Sequence, residues 1–227
     1  MYLQITTRCN MQCAHCCFRC TNKGVDMTLT TFRAALLLAG EHEDYITIGG
    51  GEPTVHPKFE LMLLEAIAAA PYDEHAPSVI TNGKHFKRAM LIAKLTKAGV
   101  VCGELSQDRW HEPIDARVVE AFKSIGERGT IRDVGTGWNK DWRHERRVDR
   151  DPIPMGRAVE FMGYSHGKRE CSCDDHFVTP DGTIRQCGCP RAPIVGHVDT
   201  GWEYRVEGCY RSEQYRDELE VYREEAA

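Results

Sequence analysis

Short apolar runs and amphipathic stretches of helical length follow one another from Tyr2 to Ile125, and few folds accept such an order. Tyr2 to Thr6 reads as a strand. Thr28 or Thr30 can cap a helix whose stripe is Leu29, Phe32, Leu36 and Ala39, with Gly40 closing it just past its end. "DYITIGG" is a second strand. Pro57 suits the first turn of a second helix, lined by Phe59, Met62, Leu63, Ala66, Ile67 and Ala70 and stopped by Pro71. "SVITNG" is a third strand, Phe86, Met90, Leu91 and Leu95 mark a helix ending at Gly99, and "VVCGELS" is a fourth strand. Val118, Val119, Phe122 and Ile125 give the next helix. "GTIRDVG" reads as a fifth strand and "RAVEFMG" as a sixth, separated by a stretch without period that reads as a long loop. Each crossover helix demands parallel strands with helices on their faces. The expected fold class is α/β, with six units forming a partial (β/α)6 parallel barrel over residues 1–165 and not a closed eight-stranded one. Residues 166–227 differ in composition and form a small cysteine-rich extension.

The first strand leads into "CNMQCAHCCFRC", which places five thiols within twelve residues. Cys9, Cys13 and Cys16 stand as CxxxCxxC, close enough for one loop to wrap three thiolates around a single iron-sulfur cube. A fully protein-held cluster needs four thiolates, so one iron would stay open to a substrate or cofactor. Cys13, Cys17 and Cys20 satisfy the same spacing, so the loop offers two registers of one pattern. Zinc, held by the pairs Cys13/Cys16 and Cys17/Cys20, is the plainer alternative. It gives no reason for the "GGGEPT" that follows the second strand, where missing side chains let a ligand approach the backbone and Glu52 offers a carboxylate to an ammonium group.

Together, "TTRCNMQCAHC" after an N-terminal strand and "GGGEPT" at Gly49 to Thr54 resemble the radical S-adenosylmethionine (SAM) superfamily. The resemblance implies the partial-barrel fold. It implies that Cys9, Cys13 and Cys16 hold a [4Fe-4S] cluster whose open iron chelates the amino and carboxylate groups of SAM. His15 then stands where an aromatic residue often precedes the last cysteine. Gly49, Gly50, Gly51, Glu52 and Pro53 lie beside the methionine amino group, and Asn82 and Ser106, at the ends of the third and fourth strands, reach the carboxylate and ribose of SAM. Asp108 and His111 face substrate as catalytic candidates, and "MGRA" at Met155 to Ala158 resembles a segment near the adenine. The implied chemistry is reductive cleavage of SAM to a 5′-deoxyadenosyl radical, which takes a hydrogen atom from a substrate C–H bond. A protein electron donor such as flavodoxin or ferredoxin is implied as well.

The tail adds five more cysteines. Cys171, Gly182 and Cys187 carry a spacing that resembles half of the SPASM and Twitch extensions of that superfamily, with "TPDGTIRQC" as a hairpin turning at Asp-Gly. The shorter Twitch type implies an auxiliary [4Fe-4S] cluster on Cys171, Cys187, Cys189 and Cys209, with Cys173 spare and zinc as the alternative occupant. Such a cluster would take up the electron left on a substrate radical and make the reaction a net oxidation, or bind the substrate through an open iron; five cysteines for four positions favour full ligation and the first role. Tyr215, Leu219 and Tyr222 form a stripe on a charged terminal helix.

Composition narrows the rest. A chain of 227 residues, 41% hydrophobic, can bury a proper core, and its net charge of −5 argues against general nucleic-acid binding. No apolar span suits a membrane and no secretory signal precedes the first strand, so eleven cysteines read as reduced thiols in the cytoplasm. Trp138 and Trp142 sit among Lys140, Arg143, Arg146, Arg147 and Arg150, a solvated loop or a nucleotide clamp. His42, His56, His75 and His85 read as surface residues, and Cys102 as a small buried hydrophobe. Peptide, nucleoside and sugar all stand as substrates. The competing class is a non-enzymatic zinc or iron-sulfur module with no SAM site.

Overall fold

The architecture is a computed structural model that describes residues 1–42, 45–70, 76–107, 110–125, 130–132, 156–162, 175–189, 191–206, 210 and 213–225. Strands β1 (Tyr2–Gln4), β2 (Thr47–Gly49), β3 (Ser78–Thr81), β4 (Cys102–Ser106) and β5 (Thr130–Arg132) pair in parallel, each with the next. Leu3, Ile48, Val79 and Gly103 form one rung across four of them, and the first three are fully buried. Helices α1 (Leu29–Glu41), α2 (Phe59–Ala69), α3 (Phe86–Lys97) and α4 (Ala116–Lys123) make the crossovers that parallel strands require. This is the expected α/β class, an open parallel sheet short of a closed barrel.

The sequence explains the helices locally. The Thr28 hydroxyl accepts the Thr31 N–H at 3.0 Å and starts α1, which buries Phe32, Ala35, Leu36 and Ala39 at helical spacing. Truncating the fully buried Phe32 to Ala would cost about 3–5 kcal/mol. Gly40 does not end this helix. It lies inside the last turn, with open space where a β-carbon would stand, and the cap is His42. Glycine tolerates helical backbone as well as a stop, so its position alone could not set the boundary. At α3 the expectation holds: Gly99, with φ +79°, follows the cap residue Ala98 and donates its N–H to Thr96 O at 3.0 Å. Pro57 lies just ahead of α2, whose first residue is Phe59.

Three further expectations are corrected. "RAVEFMG" is not the sixth strand, because Arg157–Met162 forms a short helix, α5. Its apolar run is too short for periodicity to separate strand from helix, and Ala, Glu and Met favour the helix. The parallel neighbour on the far side of β1 comes instead from the tail: β6 (Phe177–Val178) pairs with Tyr2 and Leu3. Cys102 is exposed, because the alternation of β4 turns Gly103 and Leu105 inward. His56 is buried at 2% exposure, with one ring nitrogen 3.0 Å from Met27 O and the other accepting the Lys58 N–H.

Beyond β6 the chain turns antiparallel through β7 (Thr183–Arg185), β8 (Ile194–His197) and β9 (Gly201–Trp202). The hairpin between β6 and β7 is the one expected at Asp-Gly. Gly182 takes φ +90°, and the Asp181 carboxylate accepts from the Thr179 hydroxyl and the Thr183 N–H. Among the described residues the sheet therefore runs β5-β4-β3-β2-β1-β6-β7-β8-β9. Helix α6 (Glu213–Glu225) carries a half-buried Leu219 on a largely charged surface. The segment 138–150 with its tryptophans and arginines, and His75, lie outside the described residues.

Candidate active site

The cysteine loop after β1, Gly49 to Thr54 after β2, Thr81 to Gly83 after β3 and Ser106 after β4 all stand at the carboxyl ends of parallel strands, where α/β sheets place their ligands. The cysteine loop is closed at its base. Arg8 lays its guanidinium on the Asp26 carboxylate at 2.9 and 2.7 Å, Thr6 donates to the same carboxylate at 2.6 Å, and Cys9 N–H reaches Thr21 O at 2.7 Å. Burial alone would raise the Asp26 carboxyl, but the hydrogen bonds from Thr6 and Arg8 hold it below its usual value. This clasp was not legible in the sequence, since its partners are separated by a whole loop and obey no spacing rule.

The triglycine turn packs on that same stretch. Gly51 N–H donates to Thr6 O at 2.8 Å, Glu52 N–H to Arg8 O at 2.9 Å, and Gly50 N–H to the Tyr2 hydroxyl at 3.0 Å. A β-carbon on Gly50 would lie 2.4 Å from Thr6 O, and one on Gly51 would lie 2.3 Å from Arg8 O and 3.0 Å from the Cys20 β-carbon. The missing side chains thus admit the protein's own backbone and lock the two loops together. Pro53 opens the short 3-10 turn Pro53–Val55 and is buried.

Glu52 points inward. It is 1% exposed, and Oε1 accepts from Thr54 N–H, the Thr54 hydroxyl and the Thr81 hydroxyl, while Oε2 accepts from Asn82 N–H at 2.6 Å. Burial pushes its carboxyl up, against the opposing pull of the Asn82, Thr54 and Thr81 donors. Glu52 therefore joins the turn after β2 to the turn after β3. Asn82, 6% exposed, extends the link: Nδ2 lies 2.9 Å from Asn10 Oδ1 and 3.7 Å from Cys9 Sγ.

Cys9, Cys13, Cys16 and Cys17 are half-buried, and Cys20 is buried. Met11 N–H donates to Cys9 Sγ at 3.4 Å, and Cys16 N–H turns back to Cys13 O at 3.2 Å. Burial pushes the Cys9 thiol up to about 11 and the Cys17 thiol up to about 12. Cys16 and Cys20 share a hydrogen bond that lowers Cys16 and raises Cys20. Helix α5 seats against this loop, with Arg157 N–H on Cys16 O at 2.9 Å, so the segment resembling an adenine neighbour touches the cysteine loop. Among the described residues no three His, Cys, Asp or Glu side chains converge closely enough to hold a metal ion as they stand. The donor set nevertheless suits an iron-sulfur cluster in kind: half-buried thiols on one loop, with N–H donors already aimed at Cys9.

Of the other expected residues, His15 and His111 come together, their rings 4.8 Å apart edge to face, which brings the loop after β4 against the cysteine loop. Glu112 reinforces this contact by accepting Gln12 N–H at 3.1 Å and pairing with Lys84, two links that sequence spacing does not announce. Ser106 ends β4 in register with Arg132. Asp108 lies outside the described residues, as do Cys171, Cys173 and Cys209 of the tail. Cys187 and Cys189 are buried with Ala192, and the half-buried Tyr210 packs against them. Between them, a β-carbon on Gly188 would lie 3.2 Å from the Phe177 ring and 3.4 Å from the Phe18 ring, and these two rings with Tyr2 connect the tail to the cysteine loop through aromatic contacts of 5.0–6.4 Å.

A parallel α/β sheet whose strand ends gather thiols, a triglycine turn and buried polar groups at one edge defines a cofactor-using α/β enzyme. The family model of the radical SAM superfamily matches residues 3–132, and the chain belongs to that superfamily. A search of curated proteins finds no match. Similar solved structures include BtrN in complex with AdoMet and 2-DOIA, at TM-score 0.60 and 13% identity, covering 97% of this chain and 85% of that one. A histidine-tagged anSMEcpe with bound AdoMet gives TM-score 0.57 and 15% identity over 96% and 82% of the two chains. SuiB from Streptococcus suis, bound to S-adenosylmethionine, gives 0.51 and 13% over 81% and 58%. At these identities the likeness is one of fold. No helix among the described residues is long and apolar enough to cross a membrane.

Proposed function

We propose that residues 1–165 hold a [4Fe-4S] cluster on Cys9, Cys13 and Cys16, bind SAM beside it, and abstract a hydrogen atom from a C–H bond of a peptide or nucleoside, giving a net oxidation or modification. The observation that carries this reading is the backbone lock between the two loops: Gly51 N–H on Thr6 O and Glu52 N–H on Arg8 O hold the triglycine turn against the start of the cysteine loop. When bound, the cluster supplies the electron that cleaves SAM to methionine and a 5′-deoxyadenosyl radical. The chain's part is placement. Gly49, Gly50 and Pro53 shape the turn beside the methionine end, Glu52 fixes that turn to the one bearing Asn82, and Ser106 lines the next strand end. His15, packed on His111, closes one flank, with Asp108 and His111 on the substrate side.

The three solved neighbours that hold AdoMet support this use of the fold. In the proposal residues 166–227 form a Twitch-like unit with an auxiliary [4Fe-4S] cluster on Cys171, Cys187, Cys189 and Cys209. Burial of Cys187 and Cys189, one aromatic layer from the cysteine loop, favours an electron acceptor there. Electrons come from a flavodoxin or ferredoxin, and the cytoplasm is the compartment proposed. Adding SAM to the anaerobically reconstituted, reduced protein tests the reading against a passive metal module: the paramagnetic resonance spectrum of the cluster should change. A spectrum indifferent to saturating SAM would refute the SAM site. Incubation of hydrogen-labelled peptides and nucleosides then separates substrate classes by label in 5′-deoxyadenosine.

A further inference from the structure

We infer that Asn82 is a positioning residue that sets the reduction potential of the cluster by donating a hydrogen bond to the sulfur of Cys9, an inference that rests on the cluster ligands proposed above.

Every polar group of the Asn82 side chain is committed, and its backbone N–H is fixed on Glu52 Oε2 at 2.6 Å. The side-chain Oδ1 accepts Lys84 N–H at 2.9 Å. An amide whose oxygen faces an N–H donor cannot be flipped without a donor-donor clash, so the NH2 end must point the other way. That end meets Asn10 Oδ1 at 2.9 Å with one hydrogen and Cys9 Sγ at 3.7 Å with the other. The residue is 6% exposed, so water offers little competition. Met11 N–H, 3.4 Å from the same sulfur, gives Cys9 a second donor.

Reduction adds one negative charge to an iron-sulfur cluster, and part of that charge resides on the ligating sulfurs. N–H dipoles aimed at a sulfur therefore stabilise the reduced form more than the oxidised one and raise the potential. Asn82 is held by Glu52, which also fixes the triglycine turn. The same buried carboxylate thus couples the placement of the SAM loop to the donor on Cys9. This assigns Asn82 toward the cluster sulfur, a different role from a contact to SAM.

The test is a redox titration, monitored by paramagnetic resonance and run without SAM, on the full chain carrying Asn82→Leu or Asn82→Asp at matched iron content. Asn82→Leu keeps the size and removes the donor, and the equilibrium constant for reduction should fall several-fold to about tenfold, tenfold being about 59 mV for one electron. Asn82→Asp replaces the donor by an anion and should lower the potential further. Midpoints equal to wild type in both loaded variants would overturn the inference. Failure of both variants to keep a cluster, while circular dichroism shows them folded, would overturn it too, since Asn82 would then be a structural prop. A wild-type chain that takes up no cluster would remove the proposed function itself, before any variant is read.

Discussion

Glu52→Gln is the sharpest single perturbation, because the structure gives the carboxylate an anchoring task besides the ammonium contact that the sequence suggests. One backbone N–H lies on each oxygen: Thr54 N at 3.2 Å from Oε1 and Asn82 N at 2.6 Å from Oε2. Whichever way a glutamine amide is turned, its NH2 faces a buried N–H that then lacks an acceptor. The less damaging orientation places NH2 at the Oε1 position, where the Thr54 and Thr81 hydroxyls can rotate to accept. The cost of one unsatisfied buried donor is about 1–3 kcal/mol, and a domain of this size loses roughly 2–4 °C of Tm per kcal/mol. Thermal unfolding of the cluster-free protein, followed by circular dichroism, should show Tm lower by about 2–12 °C. SAM affinity of the reconstituted variant should fall as well, because the turns after β2 and β3 lose their common anchor. An unchanged Tm together with weaker SAM binding would refute the anchoring role and leave Glu52 as a direct ligand to the ammonium.

Three further outcomes follow from the geometry. Gly51→Ala drives a β-carbon to 2.3 Å from Arg8 O, so the variant should fold yet fail to retain iron on the first loop, as read by iron and sulfide analysis. The Asp26 carboxyl is held below its usual value when folded, so its contribution is present above the unfolded pKa and is lost as pH falls through the folded one. Asp26→Asn should therefore lower Tm near neutrality and remove part of the decline in Tm below about pH 4, and a parallel Tm–pH curve would contradict the clasp. Metal analysis should find about eight irons and eight sulfides per chain, and Cys187→Ala should halve that count while sparing SAM cleavage; four irons with one zinc would rule out the auxiliary cluster.

The placement of the site's motifs was more legible than what holds them together. CxxxCxxC after a strand and "GGGEPT" after the next are local patterns, and residues at adjacent strand ends must meet once the sheet is parallel. What holds them is long-range. Arg8 with Asp26, Glu52 with Thr81 and Asn82, and Glu112 with Lys84 and Gln12 are pairings between distant segments of the chain. Their side chains, read alone, look like ordinary solvated polar residues. The same limit explains His56, which only the approach of Met27 O turns into a buried partner. "RAVEFMG" failed for a different reason, since six helical residues carry too little period to outweigh its resemblance to a strand.

The central claim is that Cys9, Cys13 and Cys16, and not Cys13, Cys17 and Cys20, form the reactive triplet. The most direct measurement is the yield of 5′-deoxyadenosine from SAM after anaerobic reconstitution and chemical reduction, in wild type and in single Cys→Ala variants. Activity should vanish in the variants at Cys9, Cys13 and Cys16 and persist in those at Cys17 and Cys20. Loss at Cys17 and Cys20 with survival at Cys9 and Cys16 would contradict the account.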